Sequence, residues 1–303
     1  MRSNSSSRST PLSRRKLLKE TGAAAVLLGA AASVPRTLAA ESEPYKIKSG
    51  RIRQSVVLWC FNPMPPETLA GHAADLGLSS VELIAPKYWP ELKKRGLACA
   101  ISSSHGFAKG FAQPGEHDEC IQTLRQSIDD TAAAGFGNVI TFSGYRKGLS
   151  TEDATRNMVE GLKKIVGYAE KKNVTLCLEM LNSRVNVTMK GHPDYFCDNI
   201  DLAADICRQI SSERMKLLFD IYHVQIMHGD IISRIRQYHP YIAHYHTAGN
   251  PGRNEIDASQ EINYPGIVKA ILQTGYKGFL GQEFIPTGDP VASLSQAARI
   301  CDV

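Results

Sequence analysis

The chain has 303 residues, 43% of them hydrophobic and 21% charged, a balance that excludes a disordered or collagen-like protein and leaves ample apolar material for a core. Its formal charge of +5 is concentrated at one end: residues 1–40 hold seven of the 35 Lys/Arg and one of the 30 Asp/Glu, leaving 28 basic and 29 acidic residues in the remainder. That near-neutral remainder provides no basic face for nucleic acid.

The first element in chain order is an address. Ser13-Arg14-Arg15-Lys16-Leu17-Leu18-Lys19 precedes an apolar run from Gly22 to Ala32 and small residues up to Ala39-Ala40, the order of a secretory signal peptide. The paired arginines predict the twin-arginine class, which is read by the export machinery and is not an anchor. The apolar run is also shorter than the roughly 20 residues of a comfortable membrane span. The expected organisation is a twin-arginine signal peptide over 1–40, a linker over 41–51 and one domain over 52–303. Such a protein would be periplasmic or otherwise exported, without a stable membrane anchor. Seven cysteines without a CxxC pair are expected to pack reduced, as small hydrophobes.

From residue 54 onward short apolar runs alternate with longer amphipathic segments. Strands are predicted at Ser55–Cys60, Ser80–Ile84, Ala98–Ser102, Asn138–Phe142, Val174–Glu179, Met215–Asp220, Tyr241–His246 and Gly278–Glu283. Helices are predicted at 66–76, 89–95, 115–134, 152–172, 194–210, 229–237, 264–274 and 289–300. Gly77, Gly135 and Gly275 fall where helices should stop, and Asp289-Pro290 reads as an N-cap followed by proline in the first turn. Eight strand–helix units predict a parallel sheet closed into a single-domain (β/α)8 TIM barrel.

In such a barrel the chemistry sits where the strands end. The last four strands finish Leu-Cys-Leu-Glu179, Leu-Leu-Phe-Asp220, His244-Tyr-His246 and Leu-Gly-Gln-Glu283. A single carboxylate there is ordinarily a cap or a salt-bridge partner. Four metal-competent side chains on four consecutive strands form a set: Glu179, Asp220, His246 and Glu283. Three carboxylates with one imidazole suit one divalent ion such as Mn²⁺, Mg²⁺ or Co²⁺ better than a structural zinc. His223, three residues past Asp220, is placed for substrate or oxyanion contact, and Arg253 for clamping a carboxylate or hydroxyls. His105 precedes an aromatic loop suited to wall a pocket, and Lys190 lies in the loop after the fifth strand as a further substrate-binding candidate. Glu82 on the second strand is a candidate for the barrel interior, Asn182 is a neighbour of Glu179, and His244 is placed to support His246.

The Phe-Asp-Ile-Tyr-His run at 219–223, His-Tyr-His-Thr-Ala-Gly-Asn-Pro-Gly-Arg-Asn-Glu at 244–255 and Gly-Gln-Glu-Phe at 281–284 resemble the xylose-isomerase-like TIM-barrel superfamily, and within it the hydroxypyruvate isomerase family. The resemblance implies that Glu179, Asp220, His246 and Glu283 ligate the metal, that Glu179 and Glu283 are also the catalytic pair, and that His223 and Arg253 meet the substrate. His246 stands where those isomerases tend to have Gln and related ketose 3-epimerases have His. The implied activity is isomerisation of a small hydroxy-ketone or sugar-type substrate through an enediolate. A ketose or keto-sugar epimerase, a metal-dependent lyase or hydratase on an oxidised sugar, and a non-catalytic sugar-binding protein are the competing readings. An abasic-site endonuclease, also found in the superfamily, is disfavoured by the near-neutral charge. A homo-oligomer is left open.

Overall fold

The computed structural model describes residues 45–303, so the expected signal peptide and the start of the linker lie outside the described residues. Strands alternate with helices along the chain: β1 (Arg53–Val57), α1 (Pro66–Leu76), β2 (Ser80–Glu82), α2 (Trp89–Lys94), α3 (His117–Ala133), β3 (Asn138–Thr141), α4 (Thr151–Lys172) and β4 (Thr175–Glu179). They continue with α5 (Ile200–Ile210), β5 (Met215–Asp220), α6 (Ile221–Met227), α7 (Ile231–Tyr238), β6 (Ile242–Thr247), α8 (Tyr264–Gln273), β7 (Phe279–Gln282) and α9 (Pro290–Cys301). Every strand pair is parallel, in the order β2-β1-β7-β6-β5-β4-β3. A parallel sheet covered by helices buries both faces, and β4, Thr-Leu-Cys-Leu-Glu, is buried at every residue.

The stretch expected as the third strand, Ala98–Ser102, does not form a continuous one. It still joins the two sheet edges through isolated parallel bridges, Ser80 to Ala98 and Ser102 to Val139, so the barrel closes. The ladder is interrupted because side chains take the backbone groups at its centre. Ala100 N donates to Ser80 Oγ at 2.7 Å, and Asn138 Nδ2 donates to Ala100 O at 3.0 Å.

Local chemistry fixes the helix ends. Ser150 Oγ accepts from Asp153 N at α4, Asn199 Oδ1 from Asp201 N at α5, and Asp289 Oδ1 from Ala292 N at α9. Gly77 closes α1 in the left-handed region at φ 82°. Most boundaries shift by a residue or two, and three differences are larger. The first strand stops at Val57, and residues 58–61 form a 3-10 turn that brings the Trp59 indole to the barrel mouth. The helix expected over 194–210 begins only at Ile200, where Asn199 caps it. One short helix, α6, was not expected at all. All seven cysteines are free and buried, as expected.

Candidate active site

The strand ends bring Glu179, Asp220, His246 and Glu283 together, each offering a ligand atom within 4.8 Å of the others and all four buried. Asp220 is held by its own helix: it caps α6, its Oδ1 accepting from Tyr222 N at 2.8 Å and His223 N at 3.3 Å, which leaves Oδ2 for the cluster. His246 Nδ1 lies 2.9 Å from Glu283 Oε2 and 3.6 Å from Glu179 Oε1. Neither His246 Nδ1 nor Glu179 Oε1 makes an aligned hydrogen bond. Buried polar atoms without partners are uncommon in native proteins, and an oxygen-rich set with one imidazole is the donor chemistry of a hard divalent ion. The residues present fit such an ion.

Arg253 stands over this cluster. Its Nη2 donates to Glu283 Oε2 at 2.5 Å and approaches Asp220 Oδ2 at 3.4 Å, while Nη1 donates to Met189 O at 2.6 Å. Trp59 Nε1 donates to the other Glu283 oxygen, Oε1, at 3.2 Å. Glu283 is therefore aimed from both oxygens. The loop carrying Arg253 is pinned by Ile285 N donating to Arg253 O and by Glu255, which accepts from Thr287 N, Thr287 Oγ1 and Ser293 Oγ.

Three carboxylates this close cannot all ionise freely without a cation. Burial, then the charge of Glu283, pushes Asp220 up to about 8, against the pull of Arg253. Burial also raises Glu179. Glu283 feels the same burial, but Arg253 and His246 outweigh it and hold its carboxyl well below the usual range. Burial disfavours a charged His246, yet Glu283, Glu179 and Glu82 overcome it and raise that imidazole. His223 is driven strongly down by burial and by Arg253, so its ring is neutral. Its Nδ1 accepts from Asn182 N at 3.0 Å, which puts the proton on Nε2, 3.6 Å from Asp220 Oδ2.

A cavity of about 240 Å³ opens beside the cluster, walled by Glu179, Glu283, Arg253, Trp59, His105 and Phe107 among others. His105 thus joins the wall, with Nδ1 on Lys109 O and Nε2 on Thr141 Oγ1. The Lys190 side chain does not line it; the residue contributes its carbonyl, which accepts from Asn182 Nδ2 and Tyr222 OH. Among the wall residues that the sequence does not single out is His192, its ring centroid 4.3 Å from that of Phe107 with the planes tilted at 59°. Its signal was the same Met-Lys-Gly-His-Pro segment, in which the charge of Lys190 drew attention. Behind the cluster, Glu82 reaches His244 Nε2 at 2.6 Å.

A (β/α)8 barrel with a buried carboxylate–imidazole cluster at the C-terminal ends of its strands defines an enzyme scaffold. The chain belongs to the xylose isomerase-like TIM barrel family, whose profile matches residues 71–301. A human protein provisionally named hydroxypyruvate isomerase is 29% identical over 76% of this chain and 78% of its own length. A 2-oxo-tetronate isomerase from Cupriavidus necator is 28% identical over 75% of this chain and 90% of its own. Among solved structures, an AP endonuclease of family 2 from Brucella melitensis superposes with a TM-score of 0.71 at 23% identity, covering 82% of this chain and 99% of that one. That structural likeness carries the fold. With the family and the curated relatives, the chain is an enzyme of the isomerase class.

Proposed function

We propose that the protein is a divalent-metal-dependent isomerase acting on a small hydroxy-ketone or sugar-type substrate, in the manner of a hydroxypyruvate isomerase, through an enediolate. The observation that carries the reading is that Glu179 and Glu283 belong both to the buried cluster and to the cavity wall. Glu179, Asp220, His246 and Glu283 would hold the cation. When bound, it would act as a Lewis acid on the carbonyl and adjacent hydroxyl oxygens of the substrate.

The two glutamates differ in the way acid–base partners must. Glu283, kept ionised by Arg253 and His246, takes the proton from the carbon beside the carbonyl. Glu179, whose carboxyl burial raises, stands on the other side of the cavity and would return a proton to the substrate, the hydroxyl proton passing to the former carbonyl oxygen as the carbonyl moves. Trp59 and Arg253 fix the direction in which the Glu283 carboxylate points. His223, expected to meet the substrate, is fully buried and outside the cavity wall; its Nε2 faces Asp220 Oδ2 at 3.6 Å, so in this reading it supports that carboxylate beside the cluster.

A second reading, epimerisation, has its own support. Glu179 ends β4 and Glu283 follows β7, and β5 and β6 stand between those strands, so the carboxylates approach the cavity from different sides. Base and acid on opposite faces of one carbon invert it, whereas action on one edge moves the carbonyl.

Incubation of the purified protein with Mn²⁺ in D₂O, against hydroxypyruvate, free ketoses and keto-glycosides, separates these outcomes by NMR. Deuterium beside a carbonyl is expected, and the product shows whether the carbonyl moved or a centre inverted. Glu283→Gln should lower exchange by roughly 10²–10⁴ with only partial loss of metal. Full exchange in that variant would remove the base from the mechanism.

A further inference from the structure

We propose that His192 is a specificity residue of the cavity: its ring hydrogen-bonds a substrate hydroxyl on a carbon not adjacent to the carbonyl, and so selects uncharged ketoses of four or more carbons. The inference rests on the reading that a hydroxy-ketone reacts beside the cluster, and it concerns the other end of that molecule.

His192 lies in the loop after β4, is only 5% exposed, and takes part in the cavity wall. Its backbone is fixed on both sides: His192 N donates to Asn182 O at 2.8 Å, and Tyr195 N donates to His192 O at 3.0 Å. Gly191 lets the chain pass, because a Cβ there would fall 2.2 Å from Val185 O and 2.6 Å from Asn182 Oδ1. Asn182 closes the same loop, its Oδ1 accepting from Val185 N and its Nδ2 donating to Lys190 O. The ring rests against Phe107 on one side, and the His223 ring centroid is 6.1 Å from its own. Placed so firmly, the imidazole still has no hydrogen-bond partner on either nitrogen among the described residues; burial and the charges of Arg253 and Glu283 are what act on it.

The other polar side chains of the wall are occupied. His105 uses both nitrogens, on Lys109 O and Thr141 Oγ1, and Ser104 Oγ donates to Ile140 O. Trp59 Nε1 donates to Glu283, and Arg253 donates to Met189 O and Glu283. Glu179 and Glu283 belong to the cluster, and Ser103 is exposed at the rim. Much of the remaining wall is apolar, with Leu83, Phe142, Leu181 and Met189 in it. A buried polar group left without a partner is destabilising, so a fixed imidazole in such a wall calls for a ligand group that completes it. His192 stands outside the cluster, so that group is not one of the oxygens the cluster would engage, on the carbonyl carbon and its neighbour.

Burial, then Arg253, lowers His192 to about 4, and its ring is neutral near neutral pH. A neutral imidazole offers one donor and one acceptor, and a hydroxyl can answer either, whichever nitrogen carries the proton. A carboxylate in the same place would bring a charge with nothing to match it. Among the described residues no lysine lines the wall, and the Arg253 guanidinium already faces Glu283 and Asp220. A substrate without the hydroxyl leaves the imidazole unpaired, which is how a site built to bond a hydroxyl rejects the analogue lacking it.

The Mn²⁺-dependent exchange in D₂O would be measured for hydroxypyruvate, dihydroxyacetone, D-erythrulose and D-fructose. Wild type should act on D-erythrulose and D-fructose with a higher kcat/KM than on dihydroxyacetone, whose hydroxyls all lie beside its carbonyl. His192→Phe keeps a ring against Phe107 and loses both nitrogens. The ratio of kcat/KM for D-erythrulose over dihydroxyacetone should then fall roughly tenfold, the worth of one neutral hydrogen bond. The loss should appear in KM, and His192→Asn, which keeps a donor and an acceptor, should recover part of it. A residue that only packs would lower both substrates alike, so an unchanged ratio in both variants overturns the proposal. Turnover confined to hydroxypyruvate or dihydroxyacetone also overturns it, and leaves the isomerase reading standing. Binding is read separately, from long-range ¹H–¹⁵N spectra of histidine-labelled protein with diamagnetic Mg²⁺, the His192 signal being identified by its loss in His192→Phe. That signal should shift on addition of D-erythrulose. Bound ketose without the shift, or no binding of either ketose, overturns the proposal. The shift without exchange of any compound removes the isomerase reading and leaves the hydroxyl contact in place.

Discussion

Asp220 has two jobs that pull on one side chain. Its Oδ1 caps α6 and its Oδ2 faces the cluster, where burial and Glu283 raise it from 3.8 to about 8. A carboxyl with a folded pKa above its unfolded one binds more protons when folded, so its contribution to stability falls as pH rises between those two values. Asn at this position still caps but does not titrate. Metal-free Asp220→Asn is therefore expected to gain stability relative to metal-free wild type as pH rises from 4 to 8, read by urea unfolding in EDTA. A difference that stays constant across the window would refute the assignment. Gly281 supplies a second residue-scale prediction. Because the Glu82 carboxylate occupies the place of its missing Cβ, Gly281→Ala overpacks the interior and should cost about 1–3 kcal/mol, and unchanged urea stability would show that the carboxylate has room. The strand-end ligands were legible because a charge at the end of an apolar run is conspicuous in one dimension. The Glu82–His244 contact was not, because its partners are 162 residues apart in the chain and meet only through barrel closure.

At the scale of elements, the sequence reading went astray where one residue served two structures. The sequence offers Asp220 as either a ligand or an ordinary cap, and in the structure it is placed for both: its Oδ1 caps α6, a helix the sequence pattern does not predict. The segment 98–102 has the composition of a strand, but Ser80 and Asn138 take its central backbone groups, and only bridges remain. Residues 194–199 carry helical periodicity, yet Tyr195 forms an antiparallel bridge with Tyr145 and the helix waits for the Asn199 cap. The loop after β6 and the loop after β7 are clasped by Glu255 on Thr287 and Ser293. Glu255→Ala should cost about 1–3 kcal/mol, speed amide exchange across 284–288, and lower kcat/KM through the freed Arg253. Exchange and kcat/KM both unchanged would show that the clasp does not position Arg253.

For the molecule as a whole, the barrel was readable because the strand–helix period persists over the full domain and only closure satisfies every sheet edge. Folding gathers three carboxylates around one point, so an ion that binds only the folded state must stabilise it. The expected gain is about 2.7 kcal/mol at a hundredfold excess over Kd, seen as a rise in Tm when Mn²⁺ is added to EDTA-treated protein. A Tm indifferent to Mn²⁺ would contradict the cluster's role. One further consequence concerns the rim. The Arg253 guanidinium touches the end of β5, the residue after β7 and the loop following β4 at once. That arc of the rim is held together through one side chain. The opposite arc, where Ser103 and Gly106 are exposed and Phe107 is half-buried, is held by His105 on Lys109 O and Thr141 Oγ1 instead of by a charged clamp spanning several strands. The rim is thus cross-braced by one guanidinium along half its circumference and held only by local contacts along the other half, which is the side where a change of loop sequence would alter the cavity without disturbing the cluster.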